Sequence, residues 1–403
     1  MSTQTAFEIM PSSRMANVRY AIRDLAVVAE QVARQGHEIL YLNIGDPNKY
    51  DFVTPPHIVE AAYKAMRDGF NGYAESLGIK PAVEAIRAQA EGNGFKDIQG
   101  IFVGYGSGEV IDSALTALVN PGDNVLTPSP EYPLYGAVLA KLSAEPNAYD
   151  LDEENGWQPD LADLERRINP RTKAILLINP NNPTGAVYTR EVLLKIADLA
   201  RRHNLLILAD EIYDKLVIDD GVKHISIATL APDIPILTFN GLSKAYLVPG
   251  WRIGWAIATG PKAALANYLE STYKLLRARL SAPHPFQYAI KPALEGPQDH
   301  LKIVQAKLRS RRDLTVEWAK PTPRVSLVAP QGAFYAYPRV DIPEDDLQFV
   351  TDLVKQKHVL VVHGSGFGEK PGTRHFRIVF LPQEAQLTKA YEAITAFMKE
   401  RYA

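Results

Sequence analysis

Three apolar runs begin 31 residues apart: AILLI (174–178), LLILA (205–209) and ILTF (236–239). A helical segment, REVLLKIADLARRHN, separates the first two. Strands with one face in water alternate apolar and polar residues, whereas these runs are almost continuously apolar. Such strands at such a spacing mark βαβ units of a parallel sheet buried on both faces. Each run also stops at polar residues: first 179–182 followed by Pro183-Thr184-Gly185, next Asp210-Glu211-Ile212-Tyr213, then Asn240 to Lys244. Open α/β sheets bind ligands beyond the carboxyl ends of their strands. Asn182, Asp210, Tyr213 and Lys244 are therefore expected to line one crevice.

A chain of 403 residues suggests about two to three domains. Hydrophobic residues make up 46% and charged residues 22%, as in a globular protein with a large core. A net charge of −2 gives no reason to expect nucleic acid or an anionic membrane as partner. There is no cysteine, which excludes disulfides, thiolate metal sites and cysteine nucleophiles and fits a reducing cytosol. The first 20 residues lack a basic stretch followed by an apolar one, so no secretory signal is expected. No apolar run approaches the roughly 20 residues that span a bilayer. A cytoplasmic protein is the expectation.

In chain order, a polar arm over residues 1–20 is followed by a helical segment stopped by Gly36, then a strand, EILYLNIG, that turns at Gly45-Asp46-Pro47. The segment IFVGYGSGEVIDSALTALVNPGD reads strand, glycine loop, helix, with Gly104, Gly106 and Gly108 around Ser107. Free amides and the positive dipole end at a helix N-terminus suit a phosphate. A tight strand-to-helix turn explains the same residues. Glu109 occupies the third glycine position of a dinucleotide fingerprint and no Lys-Ser/Thr follows, which argues against NAD and ATP. From 262 to about 320 the chain reads as mostly helical, and HLKIVQAKLRSRRDLTVEWA looks like a connecting helix with a solvated charged face. The strands RVSLVAP, GAFYAYPRV, VLVVHG and HFRIVFL and the helix EAQLTKAYEAITAFMKERY complete a smaller α+β domain.

The lysine of ILTFNGLSKAYLVPGWRIGW stands at a strand end with Arg252 eight residues on. It is either a loop surface group or a Schiff-base lysine. A pyridine-ring cofactor bearing an aldehyde and a phosphate gives each remaining polar group a use. Lys244 suits the aldehyde, and Asp210 can keep the ring nitrogen protonated. Asn182 and Tyr213 can bond the ring oxygen, and Tyr132 can stack on the ring. Gly106, Ser107, Gly108 and Arg252 suit the phosphate. Arg377, inside a strand where an unpaired cation is costly, suits a substrate carboxylate or a structural ion pair.

The combination NPNNPTG, ADEIYDK and GLSKAYLVPGWRIGW resembles the class I, fold type I, pyridoxal-phosphate aminotransferases, and the resemblance runs from LNIGDP to HFRIVF. Within that class the motifs look most like the bacterial alanine aminotransferases that use glutamate and pyruvate. The resemblance implies an α/β fold, with a mainly parallel seven-stranded sheet, helices on both faces and a smaller α+β domain. The division expected is an arm and part of the small domain over 1–50, a large cofactor-binding domain over 51–295, and a connecting helix with the small domain over 296–403. It implies that Lys244 carries the cofactor and moves a proton between Cα and C4′. Asp210 would pair with the ring nitrogen, Tyr213 and Asn182 with the ring oxygen, Asn182 also lying near the substrate, and Arg377, helped by the Gly45 backbone, with the α-carboxylate. Tyr73 resembles a tyrosine that reaches the phosphate of a neighbouring subunit, which implies a homodimer with shared active sites. One departure stands out. Relatives often carry Ser or Thr three residues before the lysine, where this chain has Gly241, so Ser243 or Asn240 is expected to compensate.

The expected reaction is ping-pong transamination, L-alanine plus 2-oxoglutarate giving pyruvate plus L-glutamate, with small-molecule partners only and no metal. Aspartate, aromatic or broad specificity, a lyase on the same cofactor and a non-catalytic ligand sensor are the alternatives. Arg14 and Arg23 are candidates for the distal carboxylate of glutamate.

Overall fold

The computed structural model describes residues 8–18 and 25–402. The three spaced runs are adjacent parallel strands of one eight-stranded sheet. In chain order its strands are β1 (Ile98–Tyr105), β2 (Asn124–Ser129), β3 (Glu145–Asp152), β4 (Gln158–Pro159), β5 (Thr172–Ile178), β6 (Leu206–Asp210), β7 (Ile236–Gly241) and β8 (Ile253–Thr259). Their order across the sheet is β1-β8-β7-β6-β5-β2-β3-β4. Only β8 and the two-residue edge strand β4 pair antiparallel to their neighbours among otherwise parallel strands. The seven expected strands are present, and β4 adds a short eighth at the edge.

The continuous apolar runs follow from burial on both faces. On β5, Ile175 and Leu177 face one hydrophobic cluster while Ala174, Leu176 and Ile178 face another. On β6 the same split puts Ile207 and Ala209 on one side and Leu206 and Leu208 on the other. Helices Lys80–Gly92 and Arg190–His203 pack on the first face, and Gly106–Leu118, Leu134–Lys141 and Lys262–Ala278 on the second.

A third cluster gathers the C-terminal strands and helices with residues from the N-terminal side. Tyr335–Ala336, Phe376–Val379 and Val362–His363 form a three-stranded antiparallel sheet with Phe376–Val379 in the middle. Leu40–Tyr41 pairs parallel with Val359–Leu360, which ties the segment before Gly45 to this cluster. Helix Asp299–Ala319 connects the two parts. Its charged run is not simply a solvated face, as expected from sequence. Arg311 is buried, donating from Nη1 to the Leu381 carbonyl at 2.5 Å and from Nη2 to Asp51 at 2.8 Å. Arg312 is also buried and donates to the Pro330 carbonyl at 2.8 Å. Buried guanidinium groups persist because carboxylates and carbonyls satisfy them. Among the described residues, no helix is long and apolar enough to cross a membrane.

Candidate active site

The carboxyl ends of β2, β5, β6 and β7 open into a single cavity. It is lined by Gly45, Ser107, Gly108, Tyr132, Asn182, Asp210, Tyr213, Ser243, Lys244, Arg252, Tyr335 and Arg377, with a few apolar neighbours. Eleven of the residues singled out from sequence are thus brought together from segments up to 332 positions apart, Gly45 to Arg377.

Lys244 follows β7 and donates from Nζ to the Gly45 carbonyl at 2.9 Å. Burial lowers its pKa to about 8, and the charges of Arg377 and Arg252 act in the same direction against those of Asp46 and Asp210. At pH 7 roughly one amine in ten is then neutral, against about one in 3,000 for an ordinary lysine, and only the neutral amine is a nucleophile. Asp210, the last residue of β6, accepts from the Tyr135 hydroxyl at 2.8 Å and from the Ile212 N–H at 3.2 Å. Burial raises its carboxyl to about 6, opposed by those two hydrogen bonds and the Lys244 charge. A cationic partner in the cavity would favour the ionised carboxylate.

Arg377 lies in the central strand Phe376–Val379 and is buried. It donates from Nη1 to Asn182 Oδ1 at 3.1 Å and from Nη2 to the Asn43 carbonyl at 2.5 Å. Its guanidinium carbon lies 4.5 Å from the Tyr335 ring centre and 4.8 Å from that of Phe367. The Tyr335 hydroxyl is 2.8 Å from the Tyr213 hydroxyl.

The other end of the cavity is built by glycines. Gly106 opens helix Gly106–Leu118 at φ +73°, and a Cβ there would lie 2.5 Å from Arg252 Nη2. Arg252 can therefore sit over the helix N-terminus only because residue 106 has no side chain. Arg252 itself adopts φ +55° and donates to the Pro249 carbonyl at 2.9 Å. A Cβ on Gly254 would meet the Ser107 backbone nitrogen at 2.2 Å, so β8 presses directly on that N-terminus. Glu109 turns its carboxylate back to the Tyr105 N–H at 3.0 Å and to Arg279 at 3.1 Å, and it is not among the lining residues.

Gly241 has a steric cause. It pairs with Gly254 across β7 and β8, and a Cβ would come 2.7 Å from the Ile253 carbonyl oxygen and 3.0 Å from the Gly254 Cα. A serine cannot stand there without moving the backbone that holds the helix N-terminus. Of the two expected substitutes, Ser243 lines the cavity. Asn240 does not, because its side chain donates to the Glu211 carbonyl at 3.1 Å and accepts from the Gly241 N–H at 2.7 Å.

Tyr73 does not join the cavity: it is 80% exposed on the loop after helix Pro56–Arg67. Gly106 is not a lining residue either and acts by making room for Arg252. Arg14, in the turn Ser13–Asn17, is exposed, and Arg23 falls outside the described residues. Tyr135 and Tyr335 were not assigned roles from sequence. The first closes the proline-rich stretch PSPEYPLY, which also holds Tyr132, whereas the second lies in GAFYAYPRV, whose alternation announces only a strand.

The arrangement holds a nucleophilic amine, a buried carboxylate, phenolic hydroxyls, an aromatic ring and a helix N-terminus with an arginine. That donor set fits pyridoxal phosphate part for part. The family profile described as "Aminotransferase class I and II" matches residues 38–394. The chain belongs to the class I and II aminotransferases. The alanine aminotransferase of Mycobacterium tuberculosis (strain ATCC 25618 / H37Rv) is 44% identical over 400 residues, covering 96% of this chain and 92% of that relative. The glutamate-pyruvate aminotransferase AlaA of Escherichia coli (strain K12) is 40% identical over 399 residues, covering 97% and 98%. An alanine aminotransferase structure from Pyrococcus furiosus superposes with a TM-score of 0.94 at 39% identity, covering 97% of this chain and all of that one. This aminotransferase is therefore an enzyme of fold type I that depends on pyridoxal phosphate and acts on amino and 2-oxo acids.

Proposed function

We propose that this aminotransferase exchanges the amino group between L-alanine and 2-oxoglutarate, giving pyruvate and L-glutamate by ping-pong transfer. The observation that carries the chemistry is that Lys244 shares one cavity with buried Asp210 and Arg377, and burial lowers its pKa. The names of the two full-length relatives support the substrate pair.

Bound pyridoxal phosphate supplies an aldehyde for imine exchange and a ring that takes up the electron pair left when Cα loses its proton. The chain does the rest. Lys244 holds the cofactor between turnovers and, once released, its Nζ takes the proton from substrate Cα and later returns one. Asp210 keeps the ring nitrogen protonated, fixed in place by Tyr135 and the Ile212 amide. Tyr213 and Asn182 would donate to the ring oxygen, and Tyr132 would offer its ring face to the cofactor. The helix N-terminal amides of Ser107 and Gly108, with Ser243 and Arg252, hold the phosphate. Arg377 receives the α-carboxylate beside the Gly45 backbone, and the Asn182 contact fixes the angle of its guanidinium. The cations lining the cavity are Lys244, Arg252 and Arg377, each with a role already. That suits the short side chain of alanine and leaves the second carboxylate of glutamate to Arg14, Arg23 or another subunit.

The same proposal includes a cytoplasmic homodimer, with parts spanning 1–50, 51–295 and 296–403. Exposed Val59, Tyr63, Met66, Phe70 and Tyr73 fall within one helix and the loop after it, an apolar surface that suits burial against a second copy. Sedimentation should give about twice the 44.6 kDa of one chain, and a mass of one chain at micromolar protein would remove the dimer. A steady-state panel of amino donors against pyruvate and 2-oxoglutarate tests the substrate assignment. Alanine with 2-oxoglutarate, and glutamate with pyruvate, should give the highest kcat/KM. A higher value for aspartate or an aromatic donor would replace it.

A further inference from the structure

Tyr335 stands where the cofactor side and the substrate side of the cavity meet. Its hydroxyl is 2.8 Å from that of Tyr213, while its ring lies 4.5 Å from the Arg377 guanidinium carbon. A side chain on Gly45 would come 2.5 Å from the Tyr335 hydroxyl, so this phenol also packs on the residue whose carbonyl receives Lys244. The ring is held rather than free. Tyr335 is buried, and its backbone pairs with Val379 of the strand that carries Arg377, with Ala336 opposite Ile378.

We propose that Tyr335 is a positioning residue that couples the ring-oxygen donor Tyr213 to the carboxylate-binding Arg377. This rests on the transamination reading given above. Two hydroxyls at hydrogen-bond distance share one proton, so one donates and the other accepts. When Tyr213 donates to the ring oxygen, Tyr335 must donate to the Tyr213 oxygen. That second bond polarises the Tyr213 O–H and makes it the stronger donor, because hydrogen bonds in a chain reinforce one another. The face of the same ring holds the guanidinium by cation–π attraction, with the Phe367 ring 4.8 Å from the same carbon. One side chain thus sets both the charge on the ring oxygen and the aim of the carboxylate clamp.

The two contacts separate by substitution. Tyr335→Phe keeps the ring and removes the hydroxyl. Tyr335→Leu removes both. In protein loaded with pyridoxal phosphate, the visible band changes with pH as the proton shared with the ring oxygen leaves. A weaker Tyr213 donor leaves more negative charge on that oxygen, so the proton is held more tightly. Tyr335→Phe should raise the midpoint by about half a pH unit while leaving the calorimetric Kd of propionate (alanine without its amino group) within about twofold. Tyr335→Leu should raise that Kd by about fivefold. A Tyr335→Phe midpoint equal to wild type would overturn the hydroxyl role, and unchanged propionate binding in Tyr335→Leu would overturn the ring role. Wild-type protein that shows no visible band with pyridoxal phosphate would instead overturn the cofactor reading on which both depend.

Discussion

Replacing Lys244 with alanine is expected to slow the alanine half-reaction by about 10³-fold or more. Two functions leave together. The amine that exchanges with the substrate imine is gone, and so is the base that takes the proton from Cα. Among the described lining residues, none offers a second amine. The other cations of the cavity are guanidinium groups, which stay protonated and cannot act as bases. The phenols of Tyr213 and Tyr335 are bonded to each other, and burial pushes the Tyr213 hydroxyl well above its usual value. The side chain removed is only partly buried, so the fold should survive. Single-turnover absorbance with pyruvate detection reads the effect, and a rate within tenfold of wild type would remove Lys244 from the chemistry.

The second large effect is expected at Asp210. Asp210→Asn keeps the size of the side chain and still accepts from the Tyr135 hydroxyl, but it carries no charge with which to hold a protonated ring nitrogen. An uncharged ring is a poorer acceptor for the electron pair from Cα. The rate of proton removal should fall by about 10²- to 10³-fold, the scale seen when one preorganised electrostatic contact is lost. Asp210→Asn leaves untouched Lys244 and the residues that would hold the phosphate, Ser107, Gly108, Ser243 and Arg252, so the cofactor should remain bound. The separation of binding from rate is the diagnostic. A variant that keeps both cofactor and wild-type turnover would mean that Asp210 is only a structural carboxylate held by Tyr135.

The sheet was readable because its strands are buried on both faces and evenly spaced, and the crevice because polar residues stop each apolar run. Asn182, Asp210, Tyr213 and Lys244 all sit at or just past the strand ends, where local sequence and tertiary position agree. Contacts across long separations were less legible. Arg377 could be marked as a costly strand cation, but its bond to Asn182 joins residues 195 positions apart. Tyr335 gave no signal, since one more aromatic in an alternating strand resembles core packing. Arg311 and Arg312 look like solvent charges until the partners that bury them are in place. Gly241 looked like a missing phosphate ligand, whereas the facing Gly254 and Ile253 carbonyl leave no room for any side chain. Tyr73 is exposed and joins no part of the cavity, so its sequence context alone gave it a role.

The most direct measurement is the half-reaction. Protein loaded with pyridoxal phosphate is mixed with L-alanine alone, without any acceptor, and the visible band and released pyruvate are followed together. Transamination predicts that the band disappears as one pyruvate forms per active site, and that adding 2-oxoglutarate restores the band and yields an equal amount of glutamate. A band that persists while alanine is unchanged, or pyruvate and ammonia that accumulate beyond one per active site with consumption of dissolved oxygen in place of a 2-oxo acid, would contradict it.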